Sequence, residues 1–499
     1  MSPWCGRQEA MPSSLNIPSA HPSIMDQPDL AARGGTTTRR EFLQAGTLGA
    51  AAGLSALASP AWSAPAVVQR RPPNFLFLIT DQLGLDAIAA HGSRDAHTPH
   101  MDRLIARGVT FLESHSSSPV CSPARSSLMT GRMPVETGVI SNSRPIHASR
   151  PNLGQWLGQA GYESVYCGKW HLPGGYPAEI PGFRVLPVGG GQGDIVDAYC
   201  SRACQAWLHQ RRQDKPFLLV SSLLQPHDIC YFAIQGKQLV PPQLPFASLA
   251  GHLPELPPNL HVRPAAPARL DAIKHEGFSD EQWRYYLYIY ARQVEMVDAE
   301  IGRVLDALED SGQADNTVVV LTSDHGDGRG RHQHVSKWYP YDEAAKVPLV
   351  FSAPGRMPEG LADRTHLVSG IDIMPTLCHL AGIEPPKCSG RSLRPLLEQR
   401  NVTWREFVGS EHHIVGRMLR TARYKYVHYE DDPVEQLFDM QADPWETRNL
   451  YQDAVYGDVL KDHRRMLAQW QASLEPVEPT PCFEGPGRQP GQGAGGKKA

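Results

Sequence analysis

Three uncharged apolar runs, far apart in the chain and each ending in polar residues, limit the fold more than any other feature. Phe75-Leu76-Phe77-Leu78-Ile79-Thr80 stops at Asp81-Gln82. Phe217 to Leu223 closes on Gln225-Pro226-His227-Asp228, and Thr317 to Ser323 stops at Asp324-His325. Such runs suit strands buried on both faces, the condition of a parallel sheet covered by helices. In open α/β sheets ligands collect at the carboxyl ends of the strands. Asp81, Asp324 and His325 are therefore placed to hold a cation. An Asp after a strand also makes a good helix N-cap, but two strand-end sets in one chain favour the cation. Oxygen-rich sets suit hard ions such as Ca²⁺ or Mg²⁺, and the His admits Mn²⁺.

Between these strands lies Ser118-Pro119-Val120-Cys121-Ser122-Pro123-Ala124-Arg125, running on to Thr130-Gly131-Arg132. Cys121 has three plain readings: a buried structural thiol, a metal ligand or a nucleophile. Pro119 discourages helix before it, while Pro123 suits a first turn, so a helix can begin just after Pro123. Cys121 then sits at or just before a helix N-terminus, where backbone N–H groups favour negative charge. Arg125, one turn on, adds positive charge to the same end. An electropositive niche of this kind favours a reactive cysteine. Further on, a helix around Asn152 to Ala160 leads to a strand ending at Gly168. That strand presents Lys169 and His171, which share a side if the chain stays extended. A lysine as charge clamp and a histidine as proton-transfer group suit an anion-transfer site.

The remaining segments are architectural. Thr98 to Phe111 predicts a capped amphipathic helix, a Gly stop and a short strand. Residues 239–268 are dense in proline and form a long irregular excursion of the kind that often walls an active site. A helix is predicted from about Asp280 to Leu308, with Leu287, Tyr290, Val294, Val297 and Ile301 as its core stripe. From about Thr403 the runs become short and β-like.

At 499 residues, 41% hydrophobic and 20% charged, the chain is a soluble globular protein of one large domain with an appendage, or two or three domains. Its formal net charge of −4 provides no basic excess for a polyanion, which argues against a general nucleic-acid or heparin binder and makes any attraction for an anionic substrate local. Nine cysteines do not make a disulfide scaffold. Cys200 and Cys204 could share a helix face; a disulfide is conceivable, but packing is the simpler reading. Near the N-terminus, Thr38-Arg39-Arg40-Glu41-Phe42-Leu43 precedes a mild apolar run from Ala45 to Ala61 and small residues around Ala64-Pro65-Ala66. This layout predicts a twin-arginine signal, hence export through that machinery to a bacterial periplasm or beyond. The run is too short and Gly-rich for a stable membrane span.

Cys121-Ser122-Pro123-Ala124-Arg125 with Leu128-Met129 and Thr130-Gly131-Arg132 resembles the first signature of the sulfatase family. Gly168-Lys169-Trp170-His171 resembles the second, with Cys167 where a small aliphatic residue is usual. Within the same resemblance fall Asp81, the Pro226-His227 pair, Asp324-His325, and Lys337, thirteen residues after Asp324. It implies an alkaline-phosphatase-like α/β sandwich, with a large, mostly parallel sheet between helices and a small antiparallel C-terminal sheet. The implied division is an N-terminal extension with signal over 1–66, a catalytic domain over 67–400, an α+β subdomain over 401–475 and a disordered tail over 476–499.

The implied activity is sulfate-ester hydrolysis, on a sulfated small molecule or glycan. Cys121 would be oxidised to formylglycine by a dedicated maturation enzyme, and catalysis would pass through its hydrate and a covalent sulfo-enzyme. Asp81, Gln82, Asp324 and His325 would hold one divalent cation, Ca²⁺ first and Mg²⁺ or Mn²⁺ otherwise. Arg125 would hold the hydrate, Lys169, Lys337 and His227 would meet the sulfate and leaving oxygen, and His171 would take the proton that releases sulfate. Asp228 would orient His227 or cap a turn. His332, His334 and Trp338 are placed where substrate contacts occur, or at plain surface. Gln82 stands where the family usually has a second Asp. A Gln-His metal pair keeps a phosphonate monoester or phosphodiester hydrolase open as the rival reading. A non-catalytic glycan-binding relative is disfavoured, because no motif residue is missing.

Overall fold

The computed structural model describes residues 71–233, 244–271, 277–412 and 416–483. The twin-arginine segment lies outside these residues. The large sheet comprises β1 (Asn74–Asp81), β2 (Gly108–Phe111), β3 (Glu163–Gly168), β4 (Arg184–Leu186), β5 (Phe217–Pro226), β6 (Thr317–Ser323), β7 (Leu349–Ser352) and β8 (Leu361–Asp363). Across the sheet the order is β4-β3-β5-β1-β6-β7-β2-β8. Every neighbouring pair is parallel except the two made by β7. The eight residues of β1 are all buried, as its uncharged run requires.

Alternation along β1 sorts its side chains between two cores. Leu76 and Leu78 face one, built with α1 (Pro99–Ala106), α4 (Gly193–Gln210) and α5 (Asp280–Asp310). Phe75, Phe77 and Ile79 face the other, built with α2 (Cys121–Thr130), α3 (Leu153–Gln159) and α6 (Ile373–Ala381). The sheet is thus sandwiched between helices. α5 begins with a reciprocal cap between Ser279 and Gln282. Its buried stripe runs Trp283, Tyr286, Tyr290, Val294, Val297 and Ile301, so Leu287, expected in it, sits at the edge and is only half-buried. Among the described residues no helix is long and apolar enough to cross a membrane.

The small sheet is antiparallel, in the order β9 (Phe407–His412), β10 (Gly416–Thr421), β11 (Tyr424–His428) and β12 (Gln436–Asp439). α7 (Gly457–Ser473) covers it through Leu460 and Leu467. Glu411 N–H donates to Ser117 O at 2.8 Å, and the Glu411 carboxylate accepts from Val135 N–H at 3.1 Å. Both contacts tie the small sheet to the segments flanking α2. Of the tail expected to be disordered from 476, the described residues 476–483 lie against the body of the chain. Val477, Thr480 and Phe483 donate backbone bonds to Val135, Gly138 and Ser143.

Candidate active site

The carboxyl ends of β1, β3, β5 and β6 place polar residues around one point, and α2 points its N-terminus at it. Cys121 is the first residue of α2 and is 1% exposed. The helix thus starts two residues before Pro123, with extended Val120 as its cap. The Cys121 thiol lies 3.2 Å from His325 Nε2 and 3.8 Å from Asp81 Oδ1, and accepts from Lys337 Nζ at 3.1 Å. Burial and the Asp81 charge push the thiol up, yet Lys337, Lys169 and His325 together hold it well below the usual thiol range. This is the niche of a reactive group.

Arg125 reaches back one turn, as its spacing requires, but its donors are spent on the carboxylates rather than on Cys121. Nε donates to Asp324 at 2.8 Å, Nη2 to Asp81 at 3.0 Å, and Nη1 to Lys169 O and Ser222 Oγ. The guanidinium is a brace between two buried acids. Lys169 Nζ donates to Asp81 Oδ2 at 2.6 Å. The expected extended run from Lys169 to His171 is instead a turn. His171 has a φ of 63° and its N–H donates to Gly174 O, while Ser122 Oγ donates to His171 O.

Lys337, on the loop after β6, donates to Gln82 Oε1 at 2.8 Å as well as to Cys121. Cys121 bonds to both His227 and His171 and raises the proton affinity of each, and the buried Nδ1 of each has no partner among the described residues. Burial, with Lys337 and Lys169, pushes His227 down to about 4, so its ring is neutral near neutral pH. Asp228 does not orient it. The Asp228 carboxylate caps α4, accepting from Gly193 N–H and Asp194 N–H.

Asp81, Cys121, Asp324 and His325 each bring one ligand atom within 4.8 Å of the others. A divalent cation fits this set. The acids are buried, and burial together with the Asp81 charge pushes Asp324 up to about 6. The like charge of the two neighbouring buried acids is what a dication relieves. His325 Nδ1 lies 2.9 Å from Gly326 O, which leaves Nε2 as the lone-pair nitrogen facing the cluster. Gln82 borders the set but has its amide engaged. Nε2 donates to Asp327 at 2.6 Å, and Oε1 also accepts from the Cys230 thiol at 3.3 Å.

Sequence reasoning missed Asp327, Ser222 and Cys230. Asp327 follows His325 by two residues and could have been suspected from that loop; the other two carry no local signal. His332, expected near substrate, and His334, expected there or at plain surface, are fully buried. His332 bonds Asn259 and Val262 O, and His334 stacks on Tyr339. Trp338 is partly buried against the core that includes Tyr339 and Tyr341.

The sulfatase family model matches residues 73–179 and 193–383. A second, described as N-sulphoglucosamine sulphohydrolase, C-terminal, matches residues 330–473. A Delta 4,5-hexuronate-2-O-sulfatase of Bacteroides thetaiotaomicron is 32% identical over 429 residues, covering 79% of this chain and 88% of that protein. A solved 2-O GAG sulfatase superposes with a TM-score of 0.72 at 30% identity, covering 84% of this chain and 99% of its own. The phosphonate monoester hydrolase of Agrobacterium radiobacter shares the fold, with a TM-score of 0.67 at 24% identity, covering 80% and 95%. Matching signatures, a shared sandwich and relatives spanning most of the chain lead to one conclusion: this protein belongs to the sulfatase family of hydrolases, within the alkaline phosphatase-like superfamily.

Proposed function

We propose that the protein hydrolyses a sulfate ester on an acidic carbohydrate, at a site centred on position 121. The observation that supports this most is the meeting of Cys121, Lys337, His325 and Asp81 at the start of α2, in a chain similar to a hexuronate 2-O-sulfatase. A formylglycine at 121, once hydrated, would supply the attacking hydroxyl. A divalent cation, Ca²⁺ in the first instance, held by Asp81, Asp324 and His325 beside Gln82, would supply Lewis-acid polarisation of a sulfate oxygen.

The chain's own side chains account for the rest. Lys337 and Lys169 bring positive charge to the point where a sulfate would sit, and there a preorganised cation stabilises charge developing on the transferred group. His227 is neutral in the free site; a bound anion raises its proton affinity, which suits donation to the leaving oxygen. His171, also held below its ordinary value by burial, is a base facing position 121. Arg125 bridges the two acids and favours their charged forms. Export through a twin-arginine signal at Arg39-Arg40, to a periplasmic or extracellular substrate, belongs to the same proposal, as does maturation by a formylglycine-generating enzyme.

The test is turnover by protein made in a host that matures sulfatases, comparing an unsaturated hexuronate 2-O-sulfate with an aryl phosphonate. Faster sulfate release supports the reading. Faster phosphonate cleavage would shift it to the second activity, which the Gln82-His325 pair leaves open and whose fold a phosphonate monoester hydrolase shares. The mass of the peptide containing Cys121 decides separately whether the aldehyde is present.

A further inference from the structure

A second cluster of reactive side chains lies inside the sandwich. Cys167 on β3 faces Cys200 and Cys204, one turn apart on α4, and the three sulfur atoms lie within 4.8 Å of one another. All three are free and fully buried. Their surroundings are apolar, with Val165, Val196, Trp207, Leu219 and Leu223 in the same core. Cys167 Sγ donates to Cys200 O at 3.5 Å, and Cys200 Sγ lies 3.6 Å from Ser221 Oγ. These polar groups are neutral. The charged group that senses the cluster is Asp197, itself fully buried and pushed up by burial.

Charge selects what such a pocket can hold. Burying an ion without compensation costs several kcal/mol. On three thiolates, a monovalent cation would leave two negative charges in the core and a divalent cation one. A trivalent centre leaves none. We infer that Cys167, Cys200 and Cys204 form a binding site for a trivalent thiophilic metalloid, for which arsenite is the simplest probe. Three S–H and three As–O bonds break, three S–As bonds form and three waters leave. Arsenic stays trivalent, so no oxidant or reductant is needed. With metal–sulfur bonds of about 2.3 Å as a guide, the sulfurs must draw to within roughly 4 Å, a shift of an ångström or less from the observed spread.

The site sits behind catalytic machinery without being part of it. A Cβ on Gly168 would stand 3.1 Å from Cys200 Sγ, and Lys169 follows directly, its N–H bonded to Ser222 O. Occupancy would cross-link β3 to α4 beneath Lys169. Entry requires transient opening of a core with no solvent exposure, so loading is slow in the native state and faster in mild denaturant.

The experiment incubates the full chain with arsenite in mild urea, removes both, and measures native mass and arsenic X-ray absorption. One arsenic per chain with three sulfur neighbours is expected, with Cys167, Cys200 and Cys204 protected from alkylation after denaturation. Uptake should fall more than tenfold in Cys204→Ala and persist in Cys388→Ala. No uptake by wild-type chain whose β3 amides exchange in that urea overturns the inference, as does equal uptake by Cys204→Ala. Should Cys204→Ala fail to fold, the wild-type spectrum decides, and fewer than three sulfur neighbours overturns it.

Discussion

Arg125 carries more of the site than any other single residue. It is buried, and its four hydrogen bonds close on Asp81, Asp324, Lys169 O and Ser222. Lysine keeps the charge but not the fork. Arg125→Lys should therefore lose about a hundredfold in kcat/KM and about 1–3 kcal/mol of stability, since one ammonium cannot meet both buried acids and leaves acceptors unpaired; kinetics and chemical denaturation read the two effects. Asp327 acts at one remove. It accepts from Gln82 Nε2, Tyr286 Oη and Arg329 N–H, and so fixes which end of the Gln82 amide faces Lys337. Asp327→Asn should cost about 10- to 100-fold in metal affinity or activity while the fold survives, as loss of a supporting partner does elsewhere. Calcium titration followed by Tm distinguishes a weakened site from a damaged fold.

At the scale of elements, the strands were legible because full burial demands uncharged runs, and the helices because period and caps agree. The positions of the candidate site side chains were legible only where an element ends. Asp81, Asp324, Cys121 and Arg125 stand where strand and helix geometry puts them. Lys169 and His171 do not, because a positive φ at His171 replaces the extended chain that their spacing suggested. Asp327, Ser222 and Cys230 act through tertiary contacts that no window of sequence displays. Gly168 sets the Lys169 geometry: its φ is 98°, and a Cβ would fall 2.0 Å from Ser222 O. Gly168→Ala should reduce activity far more than a cap variant does. Ser279→Ala, which removes the Ser279 oxygen accepting from Gln282 N–H, should cost about 1 kcal/mol and leave kcat unchanged.

The whole molecule joins two sheets across a polar seam. Glu411 lies in that seam, and burial pushes its carboxyl from 4.5 up to about 7. Below the ordinary value both folded and unfolded chains hold the proton and its contribution to stability is fully present. Between about pH 4.5 and 7 the unfolded chain ionises first, so that contribution is lost as pH rises through the folded value, and no further change follows above it. The Tm of the wild type should thus fall more between pH 5 and 8 than that of Glu411→Gln, measured in one buffer series at constant ionic strength. An equal fall in both would remove Glu411 from the account. The Val477, Thr480 and Phe483 bonds to residues 135–143 act on the same region. That loop supports the start of α2, with Asn142 accepting from Ser122 N–H and Ser143 N–H donating to Ser122 Oγ. A growing polypeptide can therefore display all ten site residues, from Asp81 to Lys337, well before the strap that steadies them has left the ribosome. The geometry around Cys121 is among the last things the chain can finish.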